Sequence, residues 1–270
     1  KYFDSYTAVI GDECHTFKAK SLTSIMTKLH EAKYRIGFTG TLDGTKTHRL
    51  VLEGLFGLSD RVTSTADLMK RDQLTQLKIK ILALKHESYK FANYQDEMEY
   101  IVTHGKRNTF IKNLVSDLKG NTLVLFNYVE KHGEPLFDLI NNSIGDTKKV
   151  FFVHGGVEAS EREEIRRLAE VNDNCVIIAS YGTFSTGINI KNLHNIIFAS
   201  PSKSRIRNLQ SIGRVLRKGD NKAQAVLYDI ADDFSRGSYI NYTLNHLKER
   251  IKVYNEEQFN YEIIPVNIKK

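Results

Sequence analysis

Cysteine is scarce. Cys14 and Cys175 are the only two in 270 residues. They are far apart and lack CxxC spacing, which argues against a disulfide framework and a zinc site and makes a reducing compartment, the cytoplasm, the default. No apolar run approaches the ~20 residues of a membrane span, and no signal peptide or other targeting segment is present. There is no GxxxxGK[ST] phosphate loop. Gly37, Gly40 and Gly44 are close together, but no Lys-Ser/Thr pair follows them at the needed spacing. No internal repeat or low-complexity tract is found. The chain opens on Lys1 with Ile10 already in a core-like strand, so it reads as a fragment.

What is present suits a globular protein with room for two ordinary domains, since hydrophobic residues make up 41% of the chain. The net charge of +7 fits a nucleic-acid partner as well as it fits a merely basic protein. From Thr122 onward short apolar runs recur at Leu123–Phe126, Val150–Val153, Val176–Ala179, Ile196–Ala199 and Ala225–Tyr228. They are near-continuous rather than alternating, as expected of strands covered on both faces. Helical segments separate them. One has a capping box at Ser160 and Glu163, with Ile165, Leu168 and Ala169 on one face. This alternation predicts a parallel α/β sheet with helices on both sides. The first ~75 residues repeat the style in a shorter form: a strand ending at Ile10, a helix carrying Leu22, Ile25, Met26 and Leu29, and a strand Tyr34–Phe38 that ends in Thr39-Gly40-Thr41. The run Leu77–Leu84 reads as a strand, and the polar stretch His86–Glu97 after it reads as the link between domains. A long helical pattern through Met98, Ile101, Ile111, Val115 and Leu118 then opens the second domain. From Ser235 a helix and an extended segment close the chain.

Three stretches carry chemistry. Asp12-Glu13-Cys14-His15 follows the apolar run Ala8-Val9-Ile10. Adjacent carboxylates at a strand end can hold a phosphate-bridging Mg²⁺ and position an attacking water, and they can equally cap a helix. In Ser204–Gly219, Ile206, Leu209, Ile212 and Leu216 form a helical buried face. Arg207, Gln210, Arg214 and Arg217 form a stripe on another face, suited to gripping phosphate oxygens. Gly219 is placed to end that helix in the left-handed conformation. The alternative is a solvated basic face. The loop Ser180–Asn189, with Thr183 and Gly187, follows the strand Val176–Ala179, where α/β folds bind ligands. Cys14 and His15 are adjacent, and neighbouring positions rarely chelate one ion.

Together these stretches resemble superfamily 2 helicases, with the phage UvsW family the nearest likeness. Asp12–His15 resembles motif II, Thr39-Gly40-Thr41 motif III, Thr186-Gly187-Ile188-Asn189 motif V, and Gln210–Arg217 motif VI, in the family's order. The resemblance implies an α/β fold of RecA-like parallel sheets with helices on both faces. It implies a partial first domain over 1–77, a linker over 78–97, and a complete second domain over 98–270 with a C-terminal helical tail. It implies an ATP- and Mg²⁺-dependent helicase or translocase acting on branched, forked or single-stranded DNA in recombination, repair and fork rescue. The cytoplasm would be that of the host if the gene is a phage's. No membrane and no obligate protein partner is implied. By residue, Asp12 would hold Mg²⁺ and Glu13 would act on the hydrolytic water. Gln210, Arg214 and Arg217 would meet the γ-phosphate, with Arg217 the first choice as arginine finger. Gly187 and Asn189 would lie near the ribose. His15, Thr39 and Thr41 would couple hydrolysis to movement. His154, Gly155 and Arg162, similar to motif IVa, would touch nucleic acid together with Thr183, an ordinary capped turn being the alternative for the first three. Without the family's phosphate loop the fragment alone is expected to be inactive. A restriction-enzyme or remodeller translocase subunit and a non-catalytic nucleic-acid-binding module are the competing readings.

Overall fold

The computed structural model describes residues 2–42, 46–187, 190–218 and 224–268. Two units divide the chain: Lys1–Thr63 with Ser204–Gln210, and Ser64–Lys203 with Ser211–Lys270. In the first, β1 (Ala8–Gly11), α1 (Lys20–Lys28), β2 (Tyr34–Gly37) and α2 (Lys46–Phe56) follow one another. β1 and β2 pair in parallel, with Gly11 opposite Gly37. Met26, Leu29, Ala32 and Leu55 are buried together against Val9, Phe17 and Phe56. Ile25, expected on the packed helix face, is exposed instead.

The strand-end glycines have a steric reason. A Cβ on Gly11 would lie 2.8 Å from Phe56 Cζ, and one on Gly37 would lie 2.9 Å from Phe56 Cγ and 3.1 Å from Cys14 Sγ. Gly37→Ala is therefore expected to lower the stability of this unit by about 1–3 kcal/mol, since overpacking forces the ring aside. Urea denaturation followed by near-ultraviolet circular dichroism measures it. An unchanged midpoint would show that the ring yields freely.

In the second unit the elements run α3 (Thr65–Lys70), β3 (Gln76–Lys85), α4 (Tyr94–Thr103), α5 (Gly105–Asp117), β4 (Thr122–Phe126), α6 (Glu134–Ile144), β5 (Lys149–Val153), α7 (Ala159–Val171), β6 (Cys175–Ser180), α8 (Tyr181–Gly187), β7 (Asn195–Phe198), α9 (Arg205–Val215), β8 (Gln224–Asp233), α10 (Tyr242–Glu256) and β9 (Tyr261–Asn267). α9 begins in the first unit and ends in the second. The seven strands form one parallel sheet in the order β5-β6-β4-β7-β8-β3-β9. Every residue of β4 and β7 is buried, as the continuous apolar runs require. The core joins Ile111, Val115, Val124, Phe126, Leu136, Ile140, Ile178 and Ile230.

Four expectations need correction. The linker expected over 78–97 includes β3, which lies inside the sheet between β8 and β9; the division falls at Thr63–Ser64. The polar stretch behind the linker reading is polar because it is tied down. Lys85 pairs with Asp233 and His86 Nε2 lies 2.8 Å from Asp232 Oδ1. Glu97 is fully buried and accepts from the backbone N–H groups of Tyr242 and Thr243 at the start of α10, each at 2.8 Å, where a carboxylate is favoured. Second, the long helix is two. His104 is extended between α4 and α5, and its Nδ1 accepts the Arg107 N–H at 3.2 Å, capping α5. Third, α7 starts one residue before Ser160, with Glu158 as its extended N-cap, and Glu163 binds Arg166 instead. Fourth, α9 stops at Val215, so Arg217 lies beyond the helix and off the expected stripe; Gly219 lies outside the described residues. Among the described residues no helix is long and apolar enough to cross a membrane.

Candidate functional site

The residues after β1 and β2 meet. The Phe38 N–H donates to the Gly11 carbonyl at 2.8 Å, and the Cys14 N–H to the Phe38 carbonyl at 2.9 Å, which locks the two strand exits together. Glu13 stands between them at φ 46° and ψ 46°. A left-handed backbone at a residue with a side chain is strained by roughly 1–3 kcal/mol, and such strain collects at functional sites. It turns the Glu13 carboxylate toward His15, whose Nδ1 lies 3.1 Å from Glu13 Oε2 and 2.9 Å from Thr39 Oγ1. Thr39 donates to the Thr41 carbonyl at 2.9 Å and accepts the Thr41 N–H at 3.2 Å. With its own proton directed to Thr41, Thr39 Oγ1 is an acceptor for a proton on His15 Nδ1. His48 Nε2 closes on the His15 carbonyl at 2.9 Å, and both imidazoles are buried. Asp12 stays exposed, its Oδ1 accepting the Glu13 N–H at 2.8 Å. Burial, then the Glu13 charge, pushes the Cys14 thiol pKa up, so Cys14 is a neutral packing residue and not a nucleophile. Five residues expected from sequence (Asp12, Glu13, His15, Thr39 and Thr41) thus form one connected group.

That group suits Mg²⁺ of one kind. Among the described residues no set of three or more His, Cys, Asp or Glu side chains could cage a metal. An exposed lone Asp12 fits an ion held largely by nucleotide phosphates and water; it does not fit a structural metal site.

The other expected residues are dispersed: those after β5 and β6 lie at the carboxyl edge of the second unit's sheet, Gln210 falls in the first unit, and Arg217 lies beside the start of β3, at the opposite edge of the sheet. His154 follows β5 and its Nδ1 accepts the Gly156 N–H at 3.2 Å; Gly155 is exposed. Arg162 is half-buried on α7. Thr183, expected to contact nucleic acid, is buried, and its Oγ1 lies 2.9 Å from Ser180 Oγ. Ser180 Oγ also accepts the Thr183 N–H at 3.3 Å, so Ser180 caps α8 and the Thr183 side chain is turned back onto that cap. Gly187 ends α8, and Asn189 lies outside the described residues. Gln210 is half-buried on α9. The Arg214 guanidinium lies over the buried Phe184 ring, 5.6 Å from its centroid, a cation–π placement that fixes its direction. Arg217 is exposed. Its segment is strapped to the start of β3, because the Thr75 N–H donates to the Leu216 carbonyl at 2.9 Å and Thr75 Oγ1 to the Arg217 carbonyl at 3.4 Å.

Sequence reasoning missed the buried charges. Asp232 on β8 receives His86 Nε2 and Arg107 Nε, both at 2.8 Å, and Arg107 Nη2 donates to the Ala199 carbonyl at 2.7 Å. Burial alone would raise the Asp232 pKa; the Arg107 charge and the hydrogen bonds overcome it and hold the group at about 2. His132, buried beside Ser200, is pushed down to about 3 by burial and by the Arg107 charge. Asp229 similarly receives Arg250 Nε and the Tyr254 hydroxyl, both at 2.8 Å. The signal was present: Asp229, Asp232 and Asp233 interrupt an apolar strand, and a carboxylate there must be paired.

A seven-stranded parallel sheet whose carboxyl edge carries these loops is a RecA-like domain, and residues 105–219 match the helicase conserved C-terminal domain. The chain as a whole is similar to known helicases. It is 35% identical to the ATP-dependent DNA helicase uvsW of Enterobacteria phage T4, over 99% of this chain and 56% of that protein. The crystal structure of T4 UvsW superposes with a TM-score of 0.63, covering 99% of this chain and 55% of that one. A putative ATP-dependent RNA helicase, L396 of Acanthamoeba polyphaga mimivirus, is 22% identical over 97% of this chain and 54% of its own length. A fragment of a putative HsdR subunit of a type I restriction enzyme from Vibrio vulnificus shares the fold, with a TM-score of 0.72 at 15% identity, over 98% of this chain and 49% of that one. The chain spans just over half the length of the curated relatives it matches.

Proposed function

We propose that the chain is the motor portion of an ATP-dependent DNA helicase or translocase that acts on branched or forked DNA in recombination, repair and fork rescue. The observation that carries this reading is the Glu13–His15–Thr39 group, where a strained glutamate, an imidazole and a threonine from two strand exits share hydrogen bonds. Asp12 would hold Mg²⁺, which supplies charge neutralisation at the phosphates. Glu13 would orient the attacking water and receive its proton. His15 and Thr39 would carry a shift of Glu13 to Thr41 and the β2 exit. Gln210, Arg214 and Arg217 would serve the γ-phosphate, Gly187 and Asn189 the ribose, and His154, Gly155 and Arg162 the nucleic-acid backbone.

The test is hydrolysis by the longer protein with and without forked DNA. DNA-stimulated turnover that Glu13→Gln abolishes is expected; turnover indifferent to Glu13 would overturn its role at the attacking water, and none at all would leave a passive binding module. The 270-residue chain, without a phosphate loop, is expected to match its own Glu13→Gln variant. It is also expected to bind fluorescent fork and single-stranded DNA weakly, losing affinity steeply with salt and ignoring sequence, because phosphate contacts release counterions without reading bases. Salt-insensitive binding, or a strong preference for one sequence, would contradict the motor reading.

A further inference from the structure

An open cavity of about 460 Å³ lies at the carboxyl edge of the second unit's sheet, lined by His86, Glu87, Tyr100, His104, Lys106 and Ile268 together with Gly105. Its size falls in the range of about 300–1,000 Å³ typical of small-ligand sites. His86 and Glu87 follow β3, Ile268 follows β9, and Gly105 opens α5. Because all seven strands are parallel, this is the same edge that carries His154 and Gly155 after β5. In the strand order β3 stands five places from β5, roughly 24 Å at about 4.8 Å per strand.

None of the roles proposed above uses this cavity, and its lining has a specific chemistry. Tyr100 is 45% exposed. Its ring centroid is 5.3 Å from His104, tilted by 49°, and His104 stands edge-on to His86 at 5.2 Å, so the wall is an edge-to-face aromatic cluster, with Tyr89 parallel to Tyr100 at 6.4 Å. Phe234 and Phe91 support Tyr100 from behind at 5.6 and 5.5 Å. Exposed rings held rigid in this way are stacking platforms for bases, since every base offers a π-face. Burial and the charge of His86 push the His104 pKa down, which keeps its ring neutral and suited to stacking. Lys106 supplies a cation for a phosphate, and the Glu87 carboxylate is an acceptor for base N–H groups.

We propose that this cavity is a docking site for one nucleotide of a nucleic-acid strand, with the base on Tyr100 and its phosphate beside Lys106. The proposal rests on the reading of the chain as a nucleic-acid motor. It places a base contact well away from His154, so a strand lying along the sheet edge would be gripped at two separated points.

The experiment measures binding of the 270-residue chain to a fluorescent 20-nucleotide oligo-dA, to the same oligomer with abasic residues, and to dAMP. Tyr100→Ala is expected to weaken oligo-dA binding about fivefold or more, the scale of one lost base stack. It is expected to leave abasic binding unchanged, and Tyr100→Phe is expected to restore wild-type affinity. A second variant works without touching the aromatic cluster: a Cβ on Gly105 meets nothing within 4 Å, so Gly105→Glu adds a negative charge at the cavity without a clash, and it is expected to weaken oligo-dA binding at least as much. Oligo-dA bound equally by wild type, Tyr100→Ala and Gly105→Glu would overturn the cavity proposal and leave the motor reading standing. No binding by wild type to any strand would overturn both. Tyr100-dependent binding of dAMP with no Tyr100 effect on the strand would make this a free-nucleotide site and overturn the strand assignment.

Discussion

Arg107→Ala is expected to destabilise the second unit by about 3–5 kcal/mol, the usual effect of removing one partner of a buried ion pair. Arg107 and Asp232 are both wholly inaccessible. Deleting the guanidinium leaves a carboxylate in the interior with only His86 against it. It also removes the donor to the Ala199 carbonyl at the exit of β7. The readout is the midpoint of urea denaturation. A loss under about 1 kcal/mol would mean that water replaces the guanidinium. The same network fixes the acid response. His132 is neutral in the fold down to about pH 3, whereas the unfolded chain protonates it near its ordinary value of 6.5. Stability it supports is therefore fully present above about pH 6.5 and declines as pH falls toward 3. Asp232, depressed from 3.8 to about 2, adds stability that is present above about pH 4 and lost as pH falls through 2. Midpoints at pH 7 and pH 5 are expected to differ, and His132→Gln is expected to narrow that difference. An unaltered difference in the variant would place the titration elsewhere.

In the longer protein, Arg217→Ala is expected to slow hydrolysis by roughly 10³–10⁵-fold, the contribution of an arginine aimed at a transferring phosphoryl group. DNA affinity is expected to change little, since one phosphate contact among several is lost. Arg217 is suited to this role because its backbone is strapped to Thr75 while its side chain stays exposed. Arg217→Lys is not expected to rescue, because a lysine lacks the planar fork. Near-normal turnover in both Arg217→Ala and Arg214→Ala would reduce this stretch to a basic face.

The strands were legible because continuous apolar runs leave few alternatives: β4, β5, β6 and β7 fall within a residue or two of the runs that predict them. The Asp12–Thr41 group was legible because strand exits bring short motifs together whatever lies between them. Burial of Thr183 was not legible, since a serine three residues earlier is as common in open loops as in capped turns. The place of β3 was not legible either. Nothing local in Gln76–Lys85 says that its partners are β8 and β9 rather than the strands before it. Arg217 was misplaced on the helix because periodicity persists past the point where the backbone stops following it.

The strand order of the second unit also sets a schedule for synthesis. β3 emerges early, yet its neighbours β8 and β9 come last, and Lys85 waits 148 residues for Asp233. At about 5–20 residues per second on the ribosome, that wait is roughly 7–30 s. During it a strand of alternating lysine and isoleucine has both edges unpaired. Lys78 and Lys80 make that waiting strand charged along one side, which opposes pairing with a neighbouring nascent chain. The β3 edge of the sheet can therefore close only after β8 and β9 have emerged.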